Sequence, residues 1–257
     1  MPEGDILRRT ADRFEQAMGG QVLVRSDLRW PTAATVDLVG RTVLETRSYG
    51  KHLLTRFDDG RTLHTHLRME GYWRIARTGS PEAAARSPQV RAVLATAQWT
   101  AIGYHLGMLD VVRTRDEQTL IGHLGPDLLA ETVDLDEALR RWAARGSTPV
   151  AEVLLDQTVV AGIGTIYAAE SLFAERLWPW TPADALPEPS RVLAVARRQL
   201  QRAVLDGRPP GHVHGRLRQP CHRCGRPIAV RQARKPPMQR PIFYCPRCQT
   251  DPATTPG

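Results

Sequence analysis

The chain has 257 residues, enough to bury one large core or two ordinary ones, and its 35 Lys and Arg against 27 Asp and Glu leave a formal net charge of +8. That excess suits a polyanionic partner such as nucleic acid, or no more than a solubilising basic surface. No apolar run approaches the roughly 20 residues that span a bilayer, and the polar start MPEGDILRRT lacks the apolar stretch of a secretory signal, so a soluble intracellular protein is expected.

Leu7, Ala11, Phe14 and Met18 recur at helical spacing, which predicts an amphipathic helix over residues 3–18 with Pro2 and Glu3 at its start. From Gln21 to about Thr114 the chain reads as short β-strands (VLVRSDL, TVLETR, HLLTRF, TLHTHL, GYWRI, LDVVRT), with Asp59-Gly60 as a hairpin signal, and this suggests a sandwich or barrel. Residues 76–91, rich in Gly, Ser, Pro and charge, read as a mobile surface loop. After Leu124-Gly125-Pro126 the pattern turns helical: Asp134 can cap DLDEALRRWAAR, and PVAEVLLDQ, AESLFAERL and SRVLAVARRQLQRAVL follow. These patterns divide the chain into residues 1–130, 131–215, a cysteine-bearing segment 216–250 and a tail, 251–257, expected to be disordered.

All four cysteines fall near the C-terminus, as Cys221-x2-Cys224 and Cys245-x2-Cys248. Two such pairs at this spacing suit a tetrahedral thiolate site for one structural zinc, with iron or two disulfides as alternatives and His222 as a bystander. Between the pairs, PIAVRQ and RPIFY are β-like and QARKPPMQR is basic, which predicts a hairpin with a positive tip. The segment QTVVAGIGTIY over 157–167 is a glycine-punctuated turn between helices; Gly164 and Thr165 there could bring backbone N–H groups to a phosphate, or the glycines could serve tight packing alone. The N-terminal tripeptide also has two readings. It is a plain helix start, or, once Met1 is removed, Pro2 is a secondary amine with a pKa of roughly 7.7–8, neutral often enough to attack a sugar C1′, with Glu3 as proton carrier.

Taken together, MPEGD at the N-terminus, YGKHLL at 49–54, QTVVAGIGTIYAAE at 157–170 and CHRCG…RPIFYCPRCQ at 221–249 resemble the formamidopyrimidine-DNA glycosylase and endonuclease VIII family, in matching order along almost the whole chain. The resemblance implies an α+β fold: an N-terminal β-sandwich with an initial helix, a helical domain bearing a helix–two-turn–helix motif, and a zinc-finger β-hairpin, with DNA held in the cleft between domains. It makes Pro2 the Schiff-base nucleophile and Glu3 the general acid/base, and it puts Lys51 and Arg240 on the phosphates beside the lesion. An amine reaches C1′ only if the damaged nucleotide leaves the stack, and something must then fill the hole. The family's intercalating loop matches His66-Leu67-Arg68-Met69, so Met69 is the candidate wedge, with Arg68 facing the orphaned base.

The implied activity is base-excision repair by a bifunctional DNA glycosylase and abasic-site lyase, ending in β,δ-elimination and using zinc only structurally. The PEG start resembles the endonuclease VIII branch, which favours oxidised pyrimidines; an enzyme directed at 8-oxoguanine and formamidopyrimidines, and a non-catalytic damaged-DNA binder, are the alternatives. The expected partner is damaged double-stranded or partly single-stranded DNA, bound by a monomer in the cytoplasm, at the nucleoid of a bacterium. A ribosomal RNA-binding protein with a helix–two-turn–helix would need a basic tail in place of the cysteines. Three departures from the family pattern stand out: Thr165 replaces the usual Asn, His214 and Leu217 replace an aromatic residue and often a Gly, and Pro2 has a free amine only after Met1 is removed.

Overall fold

The computed structural model describes residues 2–251, so Met1 and all of the expected tail except Asp251 lie outside the described residues. The chain folds as two compact units that meet in sequence at His123 and Leu124.

The first unit opens with α1 (Gly4–Met18). Leu7, Ala11, Phe14 and Met18 form its buried stripe, and the Phe14 ring meets Trp73 edge-on at 5.0 Å. Eight strands follow: β1 (Arg25–Leu28), β2 (Val43–Tyr49), β3 (His52–Phe57), β4 (Arg61–His66), β5 (Tyr72–Arg77), β6 (Val90–Ala95), β7 (Trp99–Tyr104) and β8 (Met108–Arg113). They pair antiparallel in two sheets, β1-β6-β7-β5 and β2-β3-β4-β8. Side chains from both sheets and from α1, among them Leu28, Phe57, Leu63, Leu94 and Leu109, share one core, which makes the unit a β-sandwich. A one-turn helix, α2 (Gln118–Ile121), ends it.

Two strands, β6 and β7, carry no alternation that marks them in sequence. Val93 and Ile102 are buried on the sheet face away from the main core, under Ala85, so both faces of these strands are apolar and the period of two is lost. For the same reason the segment expected as a mobile loop over 76–91 differs from that expectation. β5 extends to Arg77, β6 begins at Val90, and the connection between them buries Ala83 and Ala85.

The second unit contains α3 (Leu135–Ala143), α4 (Val150–Leu154), α5 (Thr165–Ala174), α6 (Pro189–Asp206) and the hairpin β9 (Ala229–Ala233) with β10 (Arg240–Tyr244). Asp134 caps α3 as its side chain accepts the Glu137 N–H at 2.9 Å. Gly207, at φ 72°, ends α6 in the left-handed conformation that glycine adopts without strain. Leu128, Trp142, Tyr167, Phe173 and Leu193 belong to the same core as Cys221, Ile228, Ala233, Ile242 and Cys245. The cysteine hairpin is therefore packed on the helices and has no core of its own. Sequence pattern suggested a boundary at residue 130; the fold assigns Leu124–Ala130 to the second unit, because Leu128 is fully buried there and Asp127 bridges Ala161. Among the described residues, no helix is long and apolar enough to cross a membrane.

Candidate functional site

In the first unit Glu3 is the N-cap of α1 and is 1% exposed, its carbonyl accepting the Ile6 and Leu7 N–H groups; Pro2 precedes it, half-buried. Lys51 occupies the two-residue turn Gly50-Lys51 between Tyr49 and His52, which pair across β2 and β3. Gly50 has φ 54°, the positive value that this tight turn requires at its first central position.

Arg68 and Met69 lie in the turn between β4 and β5, not on a strand. Leu67 anchors the turn in the core, Arg68 takes φ 51°, and Met69 is 61% exposed. A Met in a strand would normally be core; here the turn lifts a large apolar side chain into solvent. At the far side, a side chain on Gly71 would strike the Leu67 and His105 carbonyls, so only glycine closes this turn.

One cluster beside these residues has no counterpart in the sequence reading. His52, His64 and Asp110 project from β3, β4 and β8 and are joined in a row: His52 Nδ1 to His64 Nε2 at 2.8 Å, and His64 Nδ1 to the Asp110 carboxylate at 3.3 Å. His66 stands edge-on to His52, with ring centres 4.9 Å apart, and its Nδ1 accepts the Arg68 backbone N–H at 2.9 Å. Burial, followed by the imidazoles of His66, His64 and His123 and the Lys51 ammonium, pushes His52 down to about 3. Burial, then Lys51, His64 and Arg68, pushes His66 down to about 4. Burial also lowers His64, although Asp110 opposes it. Lys51 and Arg68, singled out separately in the sequence, thus converge electrostatically on one imidazole. The only sequence signal of the cluster is the period of two in His64-Thr65-His66.

In the second unit, the glycine-punctuated turn runs directly into α5. Gly162 has φ 104°, Gly164 is the N-cap, and Thr165, 4% exposed, begins the helix. Gln157 closes the turn: its amide donates to the Ile163 carbonyl at 2.8 Å and its oxygen accepts the Gly162 N–H at 3.1 Å. On α5 the buried Glu170 carboxylate accepts the backbone N–H groups of His212, Val213 and His214. At the position where the family pattern has an aromatic residue, the His214 imidazole meets Phe243 edge-on at 5.1 Å.

The four cysteine Sγ atoms all lie within 4.8 Å of one another, with Cys221 to Cys248 at 3.9 Å and Cys224 to Cys245 at 3.5 Å. A tetrahedral site with metal–sulfur bonds of about 2.3 Å requires S···S separations of about 3.8 Å, so the four thiols fit one metal ion. A disulfide needs an S–S distance of about 2.05 Å, which removes the two-disulfide alternative. His222 is not part of the cluster; its ring rests on Phe173 and His212. Arg240 begins β10 opposite Ala233, beside the basic hairpin tip, and the Arg234 N–H ties that tip to Glu152 of α4 at 3.0 Å.

Two family models match the chain: the formamidopyrimidine-DNA glycosylase N-terminal domain over residues 1–120 and the formamidopyrimidine-DNA glycosylase H2TH domain over residues 124–209. "Probable endonuclease 8 2" of Streptomyces coelicolor is 42% identical over 267 aligned residues, covering 100% of this chain and 97% of that protein. "DNA-(apurinic or apyrimidinic site) lyase Nei2" of Mycolicibacterium smegmatis is 38% identical over 261 residues, covering 97% and 99%. Among solved structures, the Lactococcus lactis formamidopyrimidine-DNA glycosylase bound non-covalently to DNA containing an abasic site aligns with a TM-score of 0.82 at 25% identity, covering 97% of this chain and 100% of that one. With matches of this extent in both units, the chain belongs to the formamidopyrimidine-DNA glycosylase and endonuclease VIII family.

Proposed function

We propose that this protein is a bifunctional DNA glycosylase and abasic-site lyase acting on oxidised bases, with oxidised pyrimidines as the favoured class. The observation that carries this reading is the pairing of Pro2 with a nearly inaccessible Glu3 at the start of α1, in a chain whose relatives include a protein named as an abasic-site lyase. With Met1 removed, the Pro2 nitrogen attacks C1′ of the extrahelical nucleotide, the bond to the base breaks, and the base leaves with a proton. The sugar ring opens to an iminium as Glu3 protonates the ring oxygen. Loss of the C2′ proton then expels the 3′ phosphate, and a second elimination expels the 5′ phosphate, leaving phosphates on both ends of a one-nucleotide gap.

Binding is the work of separate groups. Lys51 and Arg240 contact the phosphates beside the lesion, Gly164 and Thr165 offer backbone N–H groups at the start of α5, and Met69 enters the vacated stack with Arg68 facing the orphaned base. We assign the four-cysteine site to one structural zinc, since four thiolates saturate a tetrahedral ion and leave no open position for catalysis. Acting as a monomer, the protein works on damaged duplex, or partly single-stranded, bacterial chromosomal DNA.

Borohydride trapping tests the reading directly. Protein with a confirmed Pro2 amine is mixed with duplexes carrying an abasic site, 5-hydroxyuracil, thymine glycol or 8-oxoguanine. A covalent adduct that disappears in Pro2→Ala establishes the lyase, and the lesion giving most adduct assigns the branch. DNA binding without any adduct identifies a non-catalytic binder, a reading that Thr165 in place of Asn leaves open and that the intact set of Pro2, Glu3, Lys51 and Arg240 opposes.

A further inference from the structure

The thioether of Met69 has a chemistry that base removal does not use. Among the methionines of the described residues, Met18 is fully buried in the core of the first unit, and Met108, at the start of β8, is half-buried. Met69 is 61% exposed and Met238 53%, and both lie in turns, Met69 between β4 and β5 and Met238 between β9 and β10. The Met69 turn is closed by the Gly71 N–H on the Leu67 carbonyl at 2.9 Å, and it is Leu67 that fills the core beneath it. Met69 is therefore held in water, next to the cation Arg68. A peroxide oxidises a thioether only where it can reach the sulfur, so exposure sets the order of attack: Met69 and Met238 first, Met108 later, Met18 last.

We propose that Met69 is a site of reversible oxidation by peroxides, and that its sulfoxide disarms the protein toward damaged DNA. The proposal rests on the reading of Met69 as the wedge and adds a modification that controls it. In the forward step the sulfur lone pair attacks one peroxide oxygen. The S–O bond forms as the O–O bond breaks, the sulfur gives up two electrons, and the departing hydroxide takes the proton and leaves as water. A dithiol reverses the step: it supplies two electrons and two protons, the sulfoxide oxygen leaves as water, and the dithiol closes to a disulfide. A wedge works because an apolar side chain gains by leaving water for the base stack. The sulfoxide oxygen is an acceptor that finds no donor between bases, so entering the stack strips its water without replacement and offsets that gain. Met238 is the internal comparison. It lies in the basic hairpin tip, where cations grip phosphates and no side chain enters the stack, so its oxidation leaves damage recognition intact.

The test treats the full-length protein with hydrogen peroxide and follows each methionine by peptide mass mapping. Affinity is measured for a duplex carrying a tetrahydrofuran abasic analogue and for the undamaged duplex. The cysteines also react with peroxide, so Met69→Leu and methionine sulfoxide reductase, which acts on sulfoxides, isolate the contribution of Met69. We expect Met69 to be oxidised at least fivefold faster than Met18. Its conversion should weaken binding to the abasic duplex about tenfold and leave undamaged-duplex binding within about twofold, and the reductase should restore the loss. Met69→Leu, whatever its starting affinity, should keep that affinity through the same treatment, and Met238→Leu should lose affinity as the wild type does. Undiminished abasic binding with Met69 fully converted, an equal loss in treated Met69→Leu, or a loss that the reductase leaves in place would overturn the inference. Untreated Met69→Ala is the separate control: if it binds the abasic duplex as tightly as wild type, the wedge reading itself falls, whatever peroxide does.

Discussion

The Glu170 carboxylate accepts the Val213 backbone N–H at 2.8 Å inside the second unit, and the same carboxylate takes the N–H groups of His212 and His214. One buried anion thus satisfies three consecutive donors of a segment that forms no helix or strand. Charge-assisted bonds of this kind contribute roughly 1.5–3 kcal/mol each, while an orphaned buried donor costs roughly 1–3 kcal/mol. Glu170→Ala is expected to lower stability by at least about 3 kcal/mol in urea unfolding and Glu170→Gln by less, since the amide oxygen still accepts. Equal, small losses would show that the 212–214 segment is held elsewhere.

Two glycines leave no room for a side chain. A Cβ on Gly125 would run into the Val159 carbonyl, which is backbone inside the core; a Cβ on Gly107 would lie within 2.7 Å of the Cβ, Cγ and Cδ of Arg68, and that Cβ is tied to the backbone of the β4–β5 turn. Gly125→Ala and Gly107→Ala are each expected to cost more than about 1 kcal/mol, in keeping with the cost of overpacking. Gly107→Ala should in addition weaken damage recognition by displacing Arg68. Thermal melts and abasic-duplex titrations of both variants check this.

The histidine stack makes stability depend on pH with a definite sign. His52 and His66 titrate in the folded state at about 3 and about 4, below the ordinary 6.5, so the unfolded chain binds protons more readily. Their contribution is complete above pH 6.5 and is lost progressively as the pH falls toward 4. Urea midpoints of the full chain measured from pH 7.5 to 4.5 should show the decline, and His66→Asn should make it shallower. An unchanged slope in that variant contradicts the titration argument for His66.

Salt and metal probe the binding groups. If Lys51 and Arg240 each neutralise a phosphate, replacing either by Ala should reduce the slope of log K against log salt by about 0.9. If the four cysteines hold the proposed zinc, stripping it with a chelator should weaken DNA binding and also loosen the helices of the second unit, because Cys221 and Cys245 belong to the same core as Tyr167 and Phe173. Retained helical exchange protection after complete metal loss would mean that this core stands without the ion.

What the sequence determined by itself is local or covalent. The α1 stripe at Leu7, Ala11, Phe14 and Met18, the Asp134 cap and the β-strands flanking QARKPPMQR follow from spacing and residue type over a few positions, and the structure contains each of them. The cysteine site was legible for a similar reason, since thiols with two residues between them can serve one ion wherever the hairpin closes. Tertiary structure decided what depends on distant segments meeting. β6 and β7 lost their alternation because Ala85 covers their outer face, and Leu124–Ala130 joined the second unit because Leu128 is buried there. Met69, an apolar residue that composition would bury, is exposed in a turn where Arg68 is left-handed and its N–H bonds to His66. The row from Asp110 through His64 to His52 spans three strands, and its hydrogen bonds exist only once sheet register brings those residues side by side, which no local pattern encodes.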